Sequence, residues 1–167
     1  GVPLAATITV SGTPVTVRSD ANNGTFSVAL PQGAWDLRIQ ATGHRIQQIT
    51  RPVTIGVGSE INPALTPAPT ILLVDTGRWY YRSQVQPILD SLEKLNYPVD
   101  LHTVRNPFGI LDMPIDLPTT DQMKAYDLVI WSAPYDSPAY IGADQAVQGF
   151  LDQGGRIILT GEDIAYW

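Results

Sequence analysis

The chain has 167 residues, 44% of them hydrophobic and 16% charged, with 14 glycines and 14 prolines. That is enough apolar material for a packed core and too little charge for a disordered polyelectrolyte. Sixteen acids against 10 bases give a net charge of -6, with only two lysines; this disfavours wrapping a nucleic-acid backbone, and the apolar runs fall far short of the roughly 20 residues of a membrane span.

The absence of cysteine removes thiol nucleophiles, thiolate metal sites and disulfides together. The opening GVPLAATITV has neither a basic start nor a long apolar stretch, so the chain is expected to be a mature or excised segment of a longer polypeptide.

Residues 1–66 are rich in Thr, Val, Ile and Gly in short alternating runs. Phe26, Val28 and Leu30 alternate with small or polar residues, as do Trp35, Leu37, Ile39 and Ala41 with Asp36, Arg38 and Gln40. Period two marks half-buried strands. DANNG at 20–24 and PQG at 31–33 supply turn residues that tolerate positive φ, so consecutive hairpins are expected. Further strands are expected near 5–10, 14–18, 45–50, 52–57 and 60–65, with GVGSE at 56–60 as a hairpin turn. Together they predict a small antiparallel sandwich.

TPAPT at 66–70 places two prolines within four residues, which denies helix continuation and predicts a short stiff linker at 67–70. Charge divides there as well. Four arginines face Asp20, Asp36 and Glu60 before it, and six bases face thirteen acids after it.

From position 71 the pattern changes. ILLVD at 71–75 is a continuous apolar run ending in an acid, as in a central parallel strand covered on both faces. Val85, Ile88, Leu89, Leu92 and Leu95 follow the spacing of one helical face, predicting a helix over 83–95 with Ser83 as its cap and Pro87 in its first turn. Val99, Leu101 and Thr103 predict a strand, and RNPFGILDMPIDLPT at 105–119 a long loop followed by at most one helical turn after Thr120. DLVIWS at 127–132 predicts a third strand. Ala143, Val147, Phe150 and Leu151 line a helix ending at Gly154, and RIILT at 156–160 forms the fourth strand. Strands alternating with helices imply right-handed crossovers and a parallel sheet.

Two resemblances refine these expectations. SDANNGTFSVALPQGAWDLRIQATGH, Ser19 to His44, resembles the carboxypeptidase regulatory-like family, a transthyretin-like (prealbumin-like) all-β antiparallel sandwich, through its order of turn, Gly, aromatic, strand, Pro-x-Gly, aromatic and strand. His44 stands where an aromatic Tyr is usual, and Ala34 precedes Trp35 in the place of the common Tyr. Such modules are generally noncatalytic accessory domains, and the family would place a further strand before the opening turn.

ILLVDTGRWYYRSQVQPILDSLEKLNYPVD, AYDLVIW and ADQAVQGFLDQGGRIILTGEDIAYW resemble flavodoxin-like, class I glutamine-amidotransferase-like domains of secreted bacterial multidomain proteins, subtilisin-like peptidases among them. The implied fold for 71–167 is a truncated three-layer α/β domain. Thr160, Gly161 and Glu162 occupy the neighbourhood where a working amidotransferase carries its cysteine. Without a thiolate that acyl-enzyme chemistry has no nucleophile.

The two histidines, His44 and His102, fall in different predicted domains and lack the spacing of a metal pair. His44 reads as a turn residue and His102 as a strand residue on a solvated face. No nucleophile elbow, phosphate loop or complete dinucleotide motif occurs, so no cofactor and no metal is expected. With the flavodoxin-like order 2-1-3-4 that the resemblance implies, a crevice is expected between the loops after Asp75 and Ser132. It would gather Asp75, Arg78, Trp79, Tyr80, Tyr81 and Arg82 with Tyr135, Asp136, Tyr140, Glu162 and Asp163.

Three readings of that set stay open: local aromatic packing, stacking on a carbohydrate or docking of a protein segment, and an enzymatic or cation site built on Asp75, Asp136, Glu162 and Asp163. The fourth strand would leave an exposed edge, inviting dimerisation. The expected role is a noncatalytic accessory segment of a larger extracellular or cell-surface bacterial protein, contacting other domains of its parent. The alternative is a fragment of a hydrolase completed by residues outside this chain.

Overall fold

Strict alternation builds the first sheet. In the computed structural model, which describes residues 2–80, 82–105, 116–134, 137–162 and 164 (Trp79 and Tyr80 by backbone only), strands β1 (Ala6–Val10), β2 (Thr16–Arg18), β3 (Gly33–Ala41) and β4 (Gln47–Val53) form one antiparallel sheet of order β2-β1-β3-β4. Registers such as Ile8↔Ile39, Val10↔Leu37, Ile8↔Val17 and Leu37↔Ile49 put the apolar members of all four strands on one face. Ile8, Val10, Leu37 and Ile39 are buried there. The expected strands near 45–50 and 52–57 are one strand, β4. Pro52 interrupts nothing because β4 is an edge strand, where a missing N–H leaves no ladder bond unmade.

The apolar face is covered by Phe26, Val28 and Leu30 and by Ile61 and Leu65. These are the segments in which further strands were expected, and neither enters a ladder. The alternation at 25–30 is real, with even positions half-buried and odd ones exposed. Backbone pairing is what these segments lack: among the described residues, the backbone of Phe26 to Leu30 makes no hydrogen bond. An all-β sandwich therefore does not describe this part, because its second layer is a pair of extended segments and not a sheet.

DANNG does turn, with the Asp20 carboxylate accepting from the Asn22 and Asn23 amides at 2.7 and 3.3 Å and Gly24 at φ 74°. It leads into an unpaired segment and not into a hairpin. The prolyl stretch after Leu65 bonds to the turn at 43–45, Arg45 N–H donating to Thr66 and Ala68 N–H to Gly43.

The chain divides into two compact units, Gly1–Ala68 with Asn96–Pro98, and Pro69–Leu95 with Val99–Trp167. Three residues from later in the chain complete the first unit. Ile46 N–H donates to the Asn96 carbonyl at 2.8 Å, and the Arg45 guanidinium lies 4.4 Å over the Tyr97 ring while donating to its hydroxyl at 2.6 Å.

The second unit holds α1 (Gly77–Tyr80), α2 (Gln86–Lys94), α3 (Thr120–Met123), α4 (Asp144–Asp152) and a parallel sheet of β5 (Ile71–Asp75), β6 (Asp100–Thr103), β7 (Leu128–Ser132) and β8 (Ile157–Thr160), in the order β6-β5-β7-β8. That is the expected 2-1-3-4 order. β5 is buried along its whole length. Leu72, Val74, Val129 and Trp131 share one face with Met123 of α3 and Val147 and Phe150 of α4. A capping box at Thr119 and Gln122 starts α3, and the Thr120 hydroxyl donates to the Ala146 carbonyl at 3.0 Å.

The opposite face is less complete. Leu101, Leu73, Ile130 and Ile158 form one row in register; the central two are buried, whereas Leu101 and Ile158 are 47% and 51% exposed. Helix α2 buries no residue fully. Its first turn carries Pro87 as expected, but its cap position is Val85, without a side-chain bond, and not Ser83. With few helices around a four-stranded sheet and one row open at both ends, the unit does not match a flavodoxin-like three-layer domain. Among the described residues no helix is long and apolar enough to cross a membrane.

Trp131 is fully buried, and its indole N–H has no hydrogen-bond partner. Trp131→Ala is expected to cost about 3–5 kcal/mol of stability. Trp131→Phe is expected to cost much less, since no hydrogen bond is lost with the indole. Denaturant unfolding of both variants checks this.

Candidate functional site

Parallel pairing brings the carboxyl ends of all four strands into one row. Thr103 stands opposite Asp75, Asp75 opposite Ser132, and Ser132 opposite Thr160. This is where a crevice was expected, and Asp75 and Ser132 are indeed side by side and buried, 2% and 4% exposed.

Among the described residues, close contacts surround them. Asp75 Oδ1 accepts from the Gly77 amide at 3.1 Å. The Thr76 hydroxyl and amide both donate to the Ser132 carbonyl, at 2.9 and 3.1 Å. A Cβ on Gly77 would lie 2.5 Å from the Arg82 carbonyl oxygen and 2.9 Å from Pro134, and one on Gly161 would lie 1.8 Å from the Ala133 oxygen. The stretch after β8 therefore meets the backbone after β7 at Ala133, and Gly77 meets the Pro134 ring and the Arg82 backbone, approaches that only glycine permits.

The remaining predicted residues divide. Arg78 and Glu162 are exposed, and Tyr140 is 46% exposed with its amide donating to Ser137 Oγ. Trp79 and Tyr80 lie in α1, their side chains outside what is described. Tyr81, Tyr135, Asp136 and Asp163 fall outside the described residues altogether. Among the described residues no three His, Asp or Glu side chains gather as a metal site.

Two arrangements escaped sequence reasoning. The first flanks the prolyl loop. Asp116 accepts from the Arg105 amide at 2.7 Å and from Arg105 Nε at 2.9 Å, and its own carbonyl is 2.6 Å from His102 Nε2. His102 is thus engaged and half-buried, not on a solvated face. Partial burial of Asp116 pushes its carboxyl pKa up, but the Arg105 amide, the Arg105 guanidinium and the nearby His102 together outweigh this and hold it below the ordinary aspartate range. The charges at the two ends of the loop were the available signal.

The second arrangement is a cavity of about 1430 Å³ in the first unit. Its lining includes Phe26, Leu30 and Ile61 of the segments packed on the sheet, and it reaches the buried Ile8, Leu37 and Ile39 of the sheet itself. Among the described residues, Arg51 and Glu60 carry its formal charges, with His44 as a third titratable group. The segment at 25–30 that lines it alternates without pairing, and alternation is visible in sequence where pairing is not.

No family model, curated protein or solved structure matches this chain. The reading of its function therefore rests on the two sites just described.

Because the Asp116 pKa is depressed in the folded state, its contribution to stability is present above the unfolded aspartate value of about 3.9 and is lost as pH falls through the lower folded value. An NMR titration is expected to place the Asp116 carboxyl midpoint below about 3.9, and Arg105→Gln to move it back up. An unshifted midpoint in the parent chain would contradict the pairing.

Proposed function

We propose that this chain is a noncatalytic interaction or positioning segment of a larger secreted or cell-surface bacterial protein, with a peptidase as the parent suggested by the resemblances in its residues. The observation that supports this reading is the contrast between the two sites. Polar groups at the carboxyl end of the parallel sheet are engaged locally, Asp75 on the Gly77 amide two residues on and Thr76 across to the Ser132 carbonyl. Nucleophilic catalysis needs a hydroxyl with a base in reach, whereas His44 Nδ1 is bonded to the Thr42 carbonyl and His102 Nε2 to that of Asp116. The wide cavity of the first unit, where apolar side chains alternate with uncharged polar ones such as Asn23, Ser27, Gln32 and Asn62, suits holding a partner.

Deleting residues 1–167 from the parent protein tests the proposal. The expected result is a raised KM for a macromolecular substrate with kcat on a small chromogenic substrate unchanged. Loss of kcat on the small substrate would contradict it and make this segment part of an active site.

A further inference from the structure

We infer that the first unit binds an extended, uncharged polypeptide segment by strand addition along Phe26–Leu30. The inference rests on the reading of the chain as an interaction segment and specifies what it holds. Phe26, Val28 and Leu30 pack against the buried sheet core, while Thr25, Ser27 and Ala29 are exposed. In an extended chain, side chains point alternately to the two faces, and the N–H and C=O groups lie between them along the two edges. With its even side chains anchored on the sheet, this segment presents strand edges sideways. Those edges are unused: among the described residues, no backbone hydrogen bond is made from Phe26 to Leu30 or from Ile61 to Leu65.

Extended backbone with unpaired donors and acceptors is the template used in recognition by strand addition, where main-chain bonds supply affinity and pockets for alternate side chains supply specificity. Both parts are present here, the edge at Phe26–Leu30 and the cavity of about 1430 Å³ that this segment lines. Charge selects the occupant. Among the described residues, the formally charged ones lining the cavity are Arg51 and Glu60, of opposite sign, so a segment with net charge would leave part of its charge uncompensated on burial. The matching occupant is an uncharged strand with apolar side chains at every second position.

The test uses the whole chain, labelled for amide exchange, and an end-blocked heptapeptide alternating threonine and valine. A strand bonded to one edge protects alternate residues, so the peptide is expected to slow exchange at least about tenfold at Phe26, Val28 and Leu30, or instead at Ser27 and Ala29. The same peptide N-methylated at every second residue, which blocks a bonding edge, is expected to give no protection. Equal binding of the N-methylated peptide, uniform protection of the segment, or no binding overturns strand addition. Protection that grows with protein concentration alone also overturns it, in favour of a second copy of the chain. The deletion experiment on the parent reads the interaction role separately. A normal KM there beside alternating protection here would reject the role and keep the site.

Discussion

Backbone hydrogen bonding is the constraint on which both halves of this molecule turn. An N–H or C=O removed from water must find a partner, and the two units meet that demand differently. In the second, β5 is paired on both sides, to β6 and β7, and buried throughout. Its exit loop is tied as well, Thr76 to the Ser132 carbonyl and the Val104 amide to the Asp75 carbonyl. At the other end, the Asp127 carboxylate accepts from the amide and hydroxyl of Thr70, which hold its pKa below the ordinary aspartate range. In the first unit the four ladder strands meet the same demand, and the segments covering them do not.

This difference explains why chemistry and opportunity separate. The carboxyl end of a parallel sheet is the usual place for a ligand, yet here the loops approach so closely that Gly77 and Gly161 leave no room for a side chain. The Asp75 carboxylate accepts from the Gly77 amide, and the main-chain carbonyl of Ser132 accepts from Thr76. The open space lies instead over the antiparallel sheet, where apolar side chains from two extended segments stand against a complete apolar face.

How much of this was legible follows from what each signal measures. Period and composition report which way side chains face, so the alternation of Leu37, Ile39 and Ala41, the continuous run ILLVD and the helical spacing around Val147 and Phe150 all led to elements that exist. That the second sheet is parallel followed from the alternation of strands with helices; its order, β6-β5-β7-β8, was implied only by the resemblance. Phe26, Val28 and Leu30 also face the sheet as their spacing requires, but facing a core and pairing in a ladder are separate properties, and only the first is written in the period. The expectation of a sandwich failed there. In the second unit, α2 has the right apolar spacing but buries no residue fully, so periodicity located the helix without revealing how little of the sheet it covers. The ties between Arg105, Asp116 and His102 join residues 11 and 14 positions apart and have no periodic trace.

The central claim is that Phe26–Leu30 lies against the sheet as an extended segment with unpaired backbone. Amide hydrogen exchange of the free chain tests it most directly. The account predicts strong protection at Ile8, Leu37 and Ile39 and rapid exchange from Phe26 through Leu30. Protection of Phe26–Leu30 comparable to that of β1 and β3 in the free chain would contradict it.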